Sequence, residues 1–475
     1  MSTEAQIVST AIPLTISDAV AALRSGNITA VALIEEMIAR ADRLDSTLGV
    51  YLTRTDEAAL DAAAAADAAL ATGDPVGPLT GIPLGIKDII ATKDAPTTAM
   101  SLILDPSFGD QGDAPVVARL RAAGGVITGK LTTMEYAIGC PDPDKPFPIP
   151  RNPWNPEHWT GGSSSGTGNG VAAGLFLGGL GTDTGGSVRL PASWCGISGL
   201  KQTFGRVPKA GCVPLGFSYD HIGPMARSAR DCAIMLEVMA GHDDADACSV
   251  DVPVGHYVSA LTGSVEGLTL GVDLSLCDLP NADPVNTAAI RAAIEALAAA
   301  GAQIREIKLP YYEQMCTATM SGLQAEAFAY HRKDLQERWS DYGAPTRMAI
   351  AAAAMTTAAD YVQAQRARRT AVRGITEVFT DVDAILTPTC LVAAPLLETL
   401  NFADLIESIC TQYWNATGNP AISVPMGFSG GLPLGLQIAG RPFDEATVLR
   451  VADAYQTLTD FHLAVPAIAT EGLDA

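Results

Sequence analysis

Charge is scarce in this sequence, and positive charge is scarcest. Charged residues make up 17% of the 475, with 30 Lys and Arg against 52 Asp and Glu and a formal net charge of −22. An ordinary soluble domain carries about 25%. A surface this acidic repels phosphate backbones and anionic lipid, so neither nucleic acid nor a membrane is an expected partner. Histidine is rare, six residues in all, with no H-x-x-x-H pair and no His/Cys spacing suited to a metal. Neither a structural nor a catalytic zinc is expected, and no cofactor is implied. The nine cysteines are odd in number, scattered and never paired as C-x-x-C. That pattern excludes a disulfide framework and fits reduced, mostly buried thiols. No window holds about 20 apolar residues without a polar break. The opening MSTEAQIVSTAIPLTISDAV lacks the basic start and apolar stretch of a secretory leader. The expected location is the cytoplasm.

Apolar residues, by contrast, are abundant at 48%, enough for a large core and too many for a disordered chain. Residues 17–45 alternate apolar and polar at helical spacing, with Thr15 or Ser17 as the cap. An Ala-rich helix is predicted over 55–71, ended by Gly73-Asp74-Pro75. Residues 82–90 read as a short buried strand carrying one lysine, Lys87. A helix over 114–123 and a strand over 126–131 follow. Strand alternating with helix gives an α/β fold built on a parallel or mixed sheet. Residues 141–161 are dense in Pro, Asn, Asp and Trp and are predicted to form a long irregular loop, a kind of segment that tends to be functional. From 284 to 378 the chain is mostly helical and Ala-rich, which leaves two readings, a cap over a site or outer helices. Strand character returns at 383–388 and 421–438.

Two motifs mislead. Gly124-Gly125-Val126-Ile127-Thr128-Gly129-Lys130-Leu131 nearly matches a phosphate-binding loop, but Leu131 stands where a Ser or Thr must hold magnesium. Gly162-Ser163-Ser164-Ser165-Gly166 fits the G-x-S-x-G nucleophile elbow. That motif needs a strand directly before it, and Trp154–Thr160 does not read as one.

The informative feature is a pair of Gly/Ser stretches: Gly161-Gly162-Ser163-Ser164-Ser165-Gly166, then Gly181-Thr182-Asp183-Thr184-Gly185-Gly186-Ser187-Val188-Arg189-Leu190-Pro191. They lie between apolar segments, where a flexible linker has no place, so the backbone must approach something closely. Segment 162–192 resembles the signature of the amidase signature family, departing from it at Thr160 and Asn169. The resemblance continues through Gly81–Asp88, Cys195–Lys201, Gly223–Ser228 and Gly418–Pro425, covering nearly the whole chain. It implies one domain over 1–475, with a large mixed β-sheet flanked by helices on both faces. It implies a Ser–cis-Ser–Lys triad, with Ser187 the nucleophile, Ser163 the bridging serine on a cis peptide and Lys87 the base. It further implies that Thr184, Gly185, Gly186 and Ser187 point backbone N–H groups at the oxyanion.

The chemistry is sound on its own terms. A serine hydroxyl needs a base within hydrogen-bond reach. Lysine can be that base only when neutral, so burial must depress its pKa. Asp183 and Arg189 flank the nucleophile and are read as a structural pair or loop anchors. Ser164 and Thr182 are expected to hydrogen-bond the lysine. A Lys87–Asp88 pair is the plainer alternative, and Cys195 is read as core.

Substrate-binding candidates are Met134, Tyr136, the 138–149 loop, Cys212–Phe217, and Tyr312, Met315, Cys316 and Met320, each of which also suits an ordinary core. The expected activity is hydrolysis of a small-molecule carboxylic amide, or of a carbamate with the same triad. The other class is the amidase component of a tRNA-dependent amidotransferase, which must dock partners and pass on ammonia. A homodimer is compatible with the sequence.

Overall fold

The structure is a computed structural model that describes residues 13–73 and 75–470. Residues 1–12, most of the segment read for a leader, and Asp74 of the predicted helix stop lie outside them. Among the described residues no helix is long and apolar enough to cross a membrane.

Thirteen strands form among these residues: β1 (Tyr51–Arg54), β2 (Pro83–Lys87), β3 (Val126–Leu131), β4 (Arg151–Asn152), β5 (Asn155–Trp159), β6 (Gly178–Asp183), β7 (Ser198–Lys201), β8 (His221–Ala226), β9 (Thr269–Val272), β10 (Gln303–Glu306), β11 (Ala384–Pro388), β12 (Ala421–Ser429) and β13 (Leu432–Gly440). Eleven make one mixed sheet in the order β1-β3-β2-β6-β8-β7-β12-β13-β11-β9-β10, and β4 and β5 pair by themselves. The strands β3, β2 and β6 run parallel, as do β11, β9 and β10, while the middle of the sheet is antiparallel. Helices cover both faces. Ala229–Met239 and Glu445–Leu458 pack together on one, Ser165–Ala173 and Arg189–Cys195 on the other.

This topology positions the site. Because β2 and β6 are parallel neighbours, their carboxyl ends emerge on the same edge. Lys87 ends β2 and Thr182-Asp183 ends β6, so two segments 95 residues apart in sequence meet there. The Gly161–Ser165 turn reaches the same edge by leading from β5 into the helix Ser165–Ala173.

Several expectations need correction. The predicted helix over 17–45 is two helices, Ile16–Arg24 and Ala30–Leu48. Gly26 turns the chain at φ +71°, and Thr29 restarts it by accepting from Ala32 N–H. The irregular loop at 141–161 contains the β4–β5 hairpin. A strand therefore does precede the Gly162–Gly166 elbow, but it lies outside the main sheet. Within the Ala-rich helical stretch, Gln303–Glu306 adds the edge strand β10; all four of its residues are exposed, so no apolar alternation marked it. The phosphate-loop lookalike is a turn followed by β3. Its Lys130 is buried, 3.2 Å from Asp88 and donating to Ile90 O.

Candidate active site

Lys87 is fully buried at the end of β2, and its amine sits among three hydroxyls. Nζ lies 2.7 Å from Ser163 Oγ, 3.1 Å from Ser164 Oγ and 2.7 Å from Thr182 Oγ1. Burial pulls its pKa down to about 7, against the opposing pull of Cys212, Asp183 and Asp220. Asp88 does not pair with it, being engaged by Lys130.

Ser164 donates its own proton to Thr182 O at 3.2 Å, so towards Lys87 it acts as an acceptor. Gly181 makes room for this contact, since a Cβ there would stand 2.7 Å from Ser164 Oγ. The Gly162–Ser163 peptide is cis. The Ser163 carbonyl accepts from Thr133 Oγ1, Met134 N–H and Ser165 N–H, which fixes the residue's backbone.

Ser187 follows in the turn after β6 and is partly exposed. It shares a cavity wall with Ser163, Thr184, Gly185 and Gly186, and its carbonyl accepts from Ser164 N–H at 3.3 Å. The two serines, 187 − 163 = 24 residues apart, thus meet at one site. The Ser187 hydroxyl has no hydrogen-bond partner among the described residues.

The loop hangs on Asp183. Arg189 binds it through Nε and Nη2, each at 2.9 Å, and both side chains are fully buried. Burial pushes the Asp183 acid up, but the guanidinium outweighs it and holds the carboxyl well below the usual range. Asp183 accepts from Gly186 N–H at 2.8 Å and Val188 N–H at 3.3 Å. The Gly186 N–H therefore turns away from the cavity, unlike the other three N–H groups expected to face the oxyanion. On the opposite side, Thr184 Oγ1 donates to Asp220 Oδ1 at 2.6 Å. Replacing Arg189 with methionine leaves Asp183 a buried, uncompensated anion, and stability is expected to fall by about 3–5 kcal/mol. The urea unfolding midpoint checks this.

The cavity walls are apolar: Met134, Trp159, Leu190, Leu215, Met320 and Leu323, closed by Phe402, Leu405, Ile406 and Ile409. Of the predicted pocket residues, Met134, Ile138, Gly139, Leu215 and Met320 line it. Tyr136 does not; it is buried edge-on against His331. Tyr312 and Cys316 line a larger neighbouring cavity of about 770 Å³, which shares Met320, Ile406 and Ile409 with the first. Met315 is core. Sequence reasoning passed over Trp159 and the Phe402–Ile409 segment because nothing local separates an apolar cavity wall from an apolar core. Among the described residues no group of three or more His, Cys, Asp or Glu could hold a metal ion.

Residues 32–449 match the family model described as Amidase. The chain belongs to the amidase family. The amidase is thus an enzyme of a hydrolase family with serine-based chemistry. It is 42% identical over 482 residues to the A subunit of the glutamyl-tRNA(Gln) amidotransferase of Chloroflexus aggregans, covering 96% of this chain and 98% of that one. Further relatives of the same kind are 38–42% identical. Among solved structures, a chain of a vestigial protein complex connected with the origins of an s-triazine catabolic enzyme superposes with a TM-score of 0.87 at 30% identity, covering 93% of this chain and 98% of that chain. The A subunit of the Thermotoga maritima glutamyl-tRNA(Gln) amidotransferase superposes with a TM-score of 0.79 at 30% identity, covering 93% and 94%.

These relatives overturn the expectation of a small-molecule partner with nucleic acid excluded. Net charge was the wrong guide. It sums over a whole chain and governs solubility and long-range steering, and it does not describe any one patch of the surface.

Proposed function

We propose that the amidase cleaves a carboxamide C–N bond through an acyl-enzyme on Ser187, and does so as the amidase component of an amidotransferase acting on a charged tRNA. The end-to-end match at about 40% identity to the A subunits of such enzymes carries the amidotransferase reading. The hydroxyl cluster around Lys87 supports the chemistry. A neutral amine has two protons and one lone pair. Ser164 and Thr182 accept hydrogen bonds from its two N–H groups, leaving the lone pair for the Ser163 hydroxyl.

In this scheme Ser187 Oγ gives its proton to Ser163 Oγ as Ser163 gives its own to Lys87, and Ser187 attacks the carbonyl carbon. Backbone N–H groups of the Thr184–Ser187 loop hold the oxyanion. Lys87 then returns the proton through Ser163 to the departing nitrogen, ammonia or an amine leaves, and water repeats the cycle on the ester.

The apolar cavity favours a second reading, in which the chain alone hydrolyses an amide that is uncharged near its carbonyl. One experiment separates the two. The chain replaces its counterpart in the assembly of the Chloroflexus aggregans relative, and amidation of glutamyl-tRNA(Gln) is measured beside ammonia release from simple aliphatic and aryl amides. Amidated tRNA supports the amidotransferase reading. Release from simple amides without amidated tRNA supports the second, and an outcome with neither amidated tRNA nor release from any amide overturns both.

A further inference from the structure

The backbone groups of the loop that carries Ser187 divide into engaged and free. Gly186 O accepts from Leu190 N–H at 2.7 Å, and Ser187 O from Ser164 N–H at 3.3 Å. Gly186 N–H donates to Asp183 Oδ1 at 2.8 Å. Gly185 O accepts from the hydroxyl of Thr411 at 2.6 Å. Each of these groups is engaged by a partner, and the N–H groups of Thr184, Gly185 and Ser187 have no acceptor among the described residues. Backbone N–H groups are strong donors that seek an acceptor, so the three free ones beside the cavity are open to receive a developing negative charge.

Within this arrangement the Gly185–Gly186 peptide is the weak link. It joins two glycines, which rotate with little steric cost, and Gly186 sits at φ +134°. Its plane is held at both ends, by Asp183 on the N–H and by Thr411 on the carbonyl. Asp183 is itself fixed by Arg189 and Asn415. Thr411 is fully buried and tied back to the same cluster, since its carbonyl accepts from Arg189 Nη1 at 2.9 Å. It also packs so close that a Cβ on Gly186 would meet Thr411 Oγ1 at 2.0 Å.

We infer that Thr411 is a positioning residue: its hydroxyl sets the plane of the Gly185–Gly186 peptide and so aims the flanking N–H groups of Gly185 and Ser187 at the oxyanion. This rests on the proposal that Ser187 forms the acyl-enzyme. Thr411 lies 411 − 187 = 224 residues beyond Ser187 in sequence, on a segment that nothing in the signature stretch marks.

The test uses T411V, which keeps the shape and removes the hydroxyl, and T411S, which restores it. Steady-state kinetics are run on the fastest substrate of an aliphatic and aryl amide panel. Phenylboronic acid, which forms a tetrahedral adduct on an activated serine, probes the oxyanion geometry. T411V is expected to lower kcat by about 10- to 100-fold with KM within about twofold, the range below the loss of a whole oxyanion donor. It is expected to weaken phenylboronic acid by the same factor as kcat/KM, and T411S to recover both to within about threefold of the parent chain. A purely structural role would lower the active fraction and the thermal midpoint without changing the inhibition constant of the molecules that remain folded, and that result overturns the inference. So does a fall in kcat smaller than about threefold. Should T411V not fold, T411S alone decides: full recovery of kcat and inhibition supports the role, and a loss with normal folding overturns it. If the parent chain neither hydrolyses the panel nor binds phenylboronic acid, the acyl-enzyme reading itself fails.

Discussion

Replacing Ser187 with alanine is expected to lower turnover by about 10⁴- to 10⁶-fold, the scale seen when a catalytic serine is removed from a serine hydrolase. The size follows from the scheme, since among the described residues Ser187 is the serine that shares the cavity wall with Ser163, whose hydroxyl lies 2.7 Å from Lys87 Nζ. The fold should not notice. The Ser187 hydroxyl makes no hydrogen bond among the described residues, and its carbonyl bond to Ser164 N–H survives the change. S187A should therefore melt within a degree or two of the parent chain, so that lost activity cannot be assigned to lost protein. Ser163→Ala breaks the same relay one step earlier. Residues acting as a unit give non-additive losses, so the S163A/S187A double variant should be no slower than S187A alone. Ammonia release in single-turnover and steady-state assays measures all three. More than about 1% residual activity in S187A would remove Ser187 from the nucleophile's place.

Much of this site was legible because its chemistry is packed into short stretches. Two Gly/Ser segments carried the family resemblance that implied Lys87, Ser163 and Ser187, and the structure gathers Lys87 with the hydroxyls of Ser163, Ser164 and Thr182. The strands β2 and β3 were visible in part because parallel strands buried on both faces read as continuous apolar runs. What failed to show depends on long-range packing. Tyr136 and Met134 are two residues apart in one segment, yet only Met134 reaches the cavity. Thr411 looks like any helix-start threonine until the fold lays it on Gly185. β10, exposed along its length, had no pattern to betray it. The acidic composition pointed away from a tRNA because charge belongs to the whole surface, while partnership belongs to a patch or to a neighbouring chain.

The pH dependence carries the second large effect, and its sign comes from Lys87. Burial lowers its pKa from 10.5 to about 7, and only the neutral amine can accept the proton from Ser163. The Cys212 thiol beside it is pushed up to about 12 by burial and stays neutral throughout. Activity should therefore be on a plateau above about pH 8, half-maximal near pH 7, and fall about tenfold per unit below that, reaching about 1% of the plateau at pH 5. Flat kcat/KM between pH 5 and 8 would contradict a lysine base. Lys87→Arg keeps a cation that cannot deprotonate, so it should be inactive at every pH, whereas Lys87→Ala should lose the limb centred near pH 7 along with most of its rate. The same shift has a consequence for stability. Between pH 7 and 10.5 the unfolded chain holds a proton on Lys87 that the folded chain does not. Linkage then makes stability rise with pH across that window, by up to about 1.4 kcal/mol per unit, and makes this contribution flat below pH 7. Lys87→Met should remove that slope while abolishing turnover. A variant that is inactive yet less sensitive to pH in its unfolding midpoint is the outcome expected if one buried amine governs both properties. An unchanged slope would mean that Lys87 is already charged in the folded protein.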